Sequence, residues 1–214
     1  MRAPFLMVLL AAPAAFAQPV APRSFDVTAF SGYQLNGDAT LRGGELEIAD
    51  SPAFGAIFDL RVHRAAMLEA SYSFTKPTER FRAFGSQFAS SAPFDVPIHY
   101  FQVGAMHIRN PGHRLQPFFG LTIGAALHLP GTISLTDGTS VDAGATWRFA
   151  LSAMAGAKIW LTPNLGVRLE VRAFGPVVFS QGEFYAGTAA AGMTAPSSIP
   201  YLQFAFTAGL AFGK

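Results

Sequence analysis

The chain has 214 residues and a net charge of +2; half of its residues are hydrophobic but only 13% are charged, about half the charged share of an ordinary soluble domain. It contains no cysteine, which excludes disulfide scaffolds and thiolate metal centres. The basic residues are scattered, with no basic run and no aromatic-lined groove of the recognised kinds, so a sequence pI of 9.2 does not make nucleic acid a partner.

In chain order, residues 1–17 come first and read as a signal peptide for Sec export. Arg2 supplies the positive start, an apolar stretch runs from Phe5 to Phe16, and small residues stand at Ala15 and Ala17, so cleavage is expected after Ala17. The stretch is about 12 residues long and is broken by Pro13, too short for a spanning helix of about 20. Residues 18–214 suit a single domain. No later segment approaches 18 continuous apolar residues. An exported chain so poor in charge needs another way to place its apolar surface, and a closed β-barrel is the other structure that satisfies every backbone polar group within lipid.

Alternation at every second residue predicts eight strands, at 25–35, 53–62, 67–74, 98–108, 117–129, 147–160, 165–174 and 200–212. The connections alternate between long (36–52, 75–97, 130–146 and 175–199) and short (63–66, 109–116 and 161–164), the rhythm of an up-and-down outer-membrane barrel. In the second long connection, Phe81, Phe84, Phe88 and Phe94 lie among Arg80 and Arg82. They form a candidate interaction surface, unless their rings pack over the barrel mouth. In the third, Asp137-Gly138 signals a type I′ hairpin and a projecting ribbon.

The faces of the eight strands separate by chemistry. One set holds large apolar residues such as Phe54, Phe58, Leu121, Ile123, Leu169 and Leu210, with no charge and no glycine. The other holds Asp26, Asp59, Arg61, Glu69, Arg148, Lys158, Arg168, Glu170 and Arg172 together with Gly32, Gly55, Gly104, Gly120, Gly124, Gly156, Gly166 and Gly209. A soluble barrel would turn its charges to water. Charge interleaved with glycine instead suits a narrow interior where side chains share limited room. Four acids against five bases then form a lumen charge network, expected to pair as a plug rather than to select ions.

The segments "PFFGLTIGAAL", "FALSAMAGAKIWLTPNLGVRLEVRAF" and "FAFTAGLAF" resemble the small outer-membrane β-barrel family of the OmpA, OmpX and OmpW type. The resemblance implies an all-β fold, an eight-stranded antiparallel up-and-down transmembrane β-barrel in a Gram-negative outer membrane. It also implies outer-membrane lipids and the barrel-assembly machinery as partners. Members often finish on an aromatic residue read as an assembly signal; here that role falls to Phe212, followed by Gly213 and Lys214. With two residues after Phe212, no peptidoglycan-binding segment is expected. Some members are lipid-modifying enzymes that place His and Ser two residues apart on a strand. No His-x-Ser occurs here, so no catalytic residue is assigned and an enzyme is not expected.

The five histidines, His63, His99, His107, His113 and His128, show no ligand spacing beside a carboxylate on one face, so neither a metal nor a cofactor is assigned. Trp147 and Trp160 bracket the sixth predicted strand as girdle residues would. Side-chain charge is polarised: the long connections sum to about −5, whereas Arg23, Arg64, Arg109, Arg114 and Lys214 gather at the other end. The sequence thus predicts a monomeric barrel with a structural or surface-interaction role and no wide pore. The alternative is a narrow channel for small hydrophobic solutes, suggested by Phe30, Ile57, Met67, Met106 and Met154 in the inward set.

Overall fold

The alternating segments all become strands. The computed structural model describes residues 23–41, 43–85, 89–177 and 203–214; the expected signal peptide, Phe88 and most of the fourth long connection lie outside them. Fourteen strands follow in chain order: β1 Phe25–Leu35, β2 Ala39–Leu41, β3 Gly44–Ile48, β4 Ser51–His63, β5 Ala66–Thr75, β6 Thr78–Ala83, β7 Phe94–Asp95, β8 Ile98–Ile108, β9 Leu115–His128, β10 Gly131–Ser134, β11 Ser140–Ala143, β12 Thr146–Trp160, β13 Leu165–Val177 and β14 Gln203–Gly213.

Eight of these close into a barrel in the order β1-β14-β13-β12-β9-β8-β5-β4, and every neighbouring pair is antiparallel. They are the eight predicted strands. The short connections join β4 to β5, β8 to β9 and β12 to β13, so those turns share one end of the barrel with the start of β1 and the end of β14. The long connections share the other end.

The two faces divide as the alternation predicts. Outward side chains such as Phe54, Val103, Leu121, Phe206 and Leu210 are exposed, while Asp59, Glu69, Lys158 and Arg168 are at most 2% exposed inside. Ser31 is the polar exception on the outward mid-belt. On β8 the outward positions run from His99 to His107. Eight residues at about 3.4 Å each, tilted as barrel strands are, give a belt about 20 Å tall between the two imidazoles. Near the long-loop end an aromatic rim forms: the Tyr72 and Phe101 rings meet at a tilt with centroids 5.3 Å apart, Phe101 and Trp147 likewise at 6.2 Å, and Tyr72 Oη is 3.0 Å from His99 Nδ1. Trp160 does not share the girdle role. It is 2% exposed, faces inward and donates its indole N–H to Gln116 Oε1 at 3.2 Å. Inward glycine serves packing: a Cβ on Gly156 would sit 2.7 Å from the Phe118 ring.

Two long connections, read as loops from the sequence, carry a sheet of their own in the order β2-β3-β6-β7. Leu46 pairs with Phe81 on its buried face, whereas Glu45 opposite Arg82 and Glu47 opposite Arg80 line the other; Arg82 Nη2 and Glu47 Oε1 are 2.6 Å apart. The third connection forms the expected ribbon, β10 with β11, but its turn is not type I′. Such a turn needs positive φ at both central residues. Here Gly138 has φ +86°, and Asn110 alone among the described non-glycine residues is positive. Gly138 N donates to Leu135 O, and Leu135 N to Thr139 O. This is the three-residue loop with a left-handed glycine after a type I turn, and Asp137 Oδ1 accepts the Thr139 N–H and hydroxyl at 2.9 and 2.6 Å.

Candidate functional site

The polar chemistry lies in the barrel interior and is layered along its axis. At the short-turn end Arg23 reaches from the start of β1 to the turn at 161–164, donating to Pro163 O from Nε at 2.8 Å and to Thr162 O at 3.2 Å. Its guanidinium lies 3.4 Å from the centre of the Trp160 ring. Together they cap the lumen at that end.

Above them the pairing register aligns like charges on facing walls. Asp26 is opposite Asp59 and Asp59 is opposite Glu69, giving an acidic ridge across β1, β4 and β5. Lys158 is opposite Arg168 on β12 and β13. The barrel brings these walls together. Lys158 Nζ sits 2.7 Å from Asp26 Oδ2 and from Asp59 Oδ2. Arg168 reaches Asp59 Oδ2 and Glu69 Oε2, both at 2.6 Å, and Glu170 Oε2 from Nε at 2.8 Å. Arg172 holds Glu69 Oε1 through Nη2 and, from Nε at 2.7 Å, Glu170 Oε1. Four acids and three bases thus interlock, each at most 5% exposed. Buried charges persist when they are paired and hydrogen-bonded on several sides, and here most carboxylate oxygens meet a cation.

Beyond the ion pairs the interior turns neutral and polar. Arg172 Nη1 also donates to Ser71 Oγ and Gln102 Oε1, and Ser152 Oγ bonds both Thr122 Oγ1 and Gln102 Oε1. A small cavity lies here, lined by Phe30, Gln34, Ile57, Ser71, Arg172 and Phe174, with room of about 20 Å³, enough for about one water. Over it sits an apolar layer of Val96, Ile98, Tyr100, Ala126, Ala150, Phe174 and Ala205, with Phe94 packed against it.

No protein-family profile and no curated protein matches the chain. Among solved structures it is similar to the outer membrane protein OprG from Pseudomonas aeruginosa, with a TM-score of 0.58 at 11% identity, covering 91% of this chain and 98% of that one. It is also similar to Neisserial surface protein A, with a TM-score of 0.54 at 12% identity, covering 91% of this chain and 99% of that one. The chain has the fold of the small eight-stranded outer-membrane barrels. In a barrel of this size the interior is about as wide as the side chains that fill it, and the layers above fill it.

Seven of the nine predicted lumen charges meet in this barrel's network. Arg61 does not: it lies at the short-turn end, where its guanidinium donates to the backbone carbonyls of Arg23 and Arg64. Arg148 does not either. It is half-buried near the mouth, where it acts on Glu79 of the loop sheet and on His128. Burial raises the Glu79 carboxyl from 4.5 to about 7, with Arg148 opposing the shift. The predicted phenylalanine surface also separates. Phe81 is buried under β3, Phe94 packs over the mouth, Phe84 is 56% exposed and Phe88 lies outside the described residues. Phe212 points outward on β14. Gln34, Gln102 and Gln203 complete the interior without having been singled out, although alternation alone puts them on the inward face, and Arg23, read only as part of the basic end, closes the cap. Among the described residues no group of three or more His, Asp or Glu is arranged to hold a metal.

Proposed function

We propose that the protein is an integral outer-membrane barrel of a Gram-negative cell, monomeric and inserted by the barrel-assembly machinery, with a sealed lumen and a structural or surface-interaction role carried by its long-loop end. The observation that carries this reading is the pairing of an uncharged outward belt with an ion-paired interior. An exposed belt of Phe54, Leu121, Ile123 and Leu210 suits hydrocarbon, where Arg or Lys would cost about 2–4 kcal/mol at mid-depth. Among the described residues, the buried ion pairs and the cap at Arg23 support a lumen without a wide water path. No catalytic role is assigned to the lumen carboxylates, because Arg168, Arg172 and Lys158 already hold them. The solute-channel alternative would need the small cavity beneath Phe174 to widen.

Two measurements test the reading together. The protein is expected to fractionate with outer membranes, and recovery as a soluble monomer without detergent would count against it. Purified protein in planar bilayers is expected to show no steady porin-sized current.

A further inference from the structure

The side chains of the short-turn end carry charge of one sign. Its described segments, 23–24, 64–65, 109–114, 161–164 and 214, contain Arg23, Arg64, Arg109, Arg114 and Lys214 and no acidic side chain. The first acid beyond them, Asp26, is 1% exposed and held by Lys158. Arg23 is committed to the cap, whereas Arg64, Arg109 and Lys214 are exposed. These three stand at three of the four corners of the rim, on the β4–β5 turn, on the β8–β9 turn and at the junction of β14 with β1, while the β12–β13 turn carries no charge. Each borders outward apolar side chains: Val62 is 55% exposed, Leu115 40% and Phe212 55%, and the remaining turn offers Leu161 at 55%.

A cationic rim set directly against an apolar rim matches one kind of surface, acyl chains with anionic headgroups at their edge. We propose that this end is a docking collar for anionic phospholipid headgroups in the leaflet that faces the periplasm. The proposal rests on the membrane reading above. The attraction is electrostatic near a membrane surface and therefore weakens with salt.

The test uses the full chain refolded into vesicles of phosphatidylcholine mixed with phosphatidylglycerol, with retained lipid measured by native mass spectrometry. Several-fold enrichment of phosphatidylglycerol over its bulk ratio is expected, falling towards that ratio in the R64Q/R109Q/K214Q variant. It should be retained in K76Q/R80Q/R82Q, which loses the same number of charges at the other end. Equal enrichment in wild type and the R64Q/R109Q/K214Q variant overturns the collar, as does no enrichment in wild type. Binding to isolated peptidoglycan sacculi that is lost in that variant, with an unchanged lipid ratio, overturns it in favour of the cell wall. Insertion without lipid preference overturns the collar alone, and failure to insert into these vesicles overturns the membrane reading with it.

Discussion

Asp26 and Asp59 stand directly opposite each other on β1 and β4, and the Lys158 ammonium, from the far wall, lies 2.7 Å from a carboxylate oxygen of each. Like charges in direct cross-strand pairs repel, so this pair depends on a residue that no neighbouring strand supplies.

Removing that residue exposes the dependence. Lys158→Met is expected to destabilise the barrel by about 3–5 kcal/mol, the range for breaking a buried ion pair from one side, and Asp26→Asn added to it should restore part of the loss. Urea unfolding in vesicles measures both. A single variant within about 1 kcal/mol of wild type would show that the pair is not held as described.

The face assignment makes a second contrast. Leu169 is 46% exposed on the outward belt, so Leu169→Arg should cost about 2–4 kcal/mol in lipid. Ala150 faces inward, and Ala150→Ser should cost clearly less. Equal losses in vesicle unfolding would mean that the faces are reversed.

Arg168 ties three carboxylates together and lies 4.5 Å from the centre of the Phe118 ring. In Arg168→Ala, Asp59, Glu69 and Glu170 lose a shared cation and draw in water. Single-channel recordings are expected to change from silent in wild type to small and noisy in the variant. Silent traces from both would place the seal elsewhere.

Glu79 supplies a pH dependence outside the belt. Its folded value of about 7 lies above the ordinary 4.5, so the folded loop sheet favours the protonated acid. The sheet is expected to hold best below about pH 4.5 and to loosen as pH rises through 7. Hydrogen exchange at β6 amides, corrected for intrinsic rates, should quicken between about pH 5 and about pH 8 in wild type and stay level in Glu79→Gln. A pH-dependent variant would assign the effect to another group.

The strands are legible because a strand polar on one face and apolar on the other writes its geometry at every second residue. Alternation gives the face of a residue but not its height. That is why Arg61 and Arg148 read as members of the lumen network when they stand at opposite ends of the barrel. Trp160 is a different case: its place at a strand end suggested a girdle residue, although alternation already turns it inward, one position from the outward Ile159. The loop sheet escapes the sequence because the alternating segments Gly44–Ile48 and Thr78–Ala83 are short and their outer faces carry Glu45, Glu47, Arg80 and Arg82. The facing of Asp26, Asp59 and Lys158 depends on closure, which no single strand records.

The seam between β1 and β14 has a consequence for biogenesis. Ten residue pairs join Asp26–Leu35 to Phe204–Gly213, strands far apart in the sequence and so made at different times. Until the last is released, β1 keeps an unpaired hydrogen-bonding edge beside an apolar surface, the arrangement that invites association between chains. Long-range pairing of this kind is also slow to form. Closing this seam is therefore the step that removes the open edge from reach of other chains.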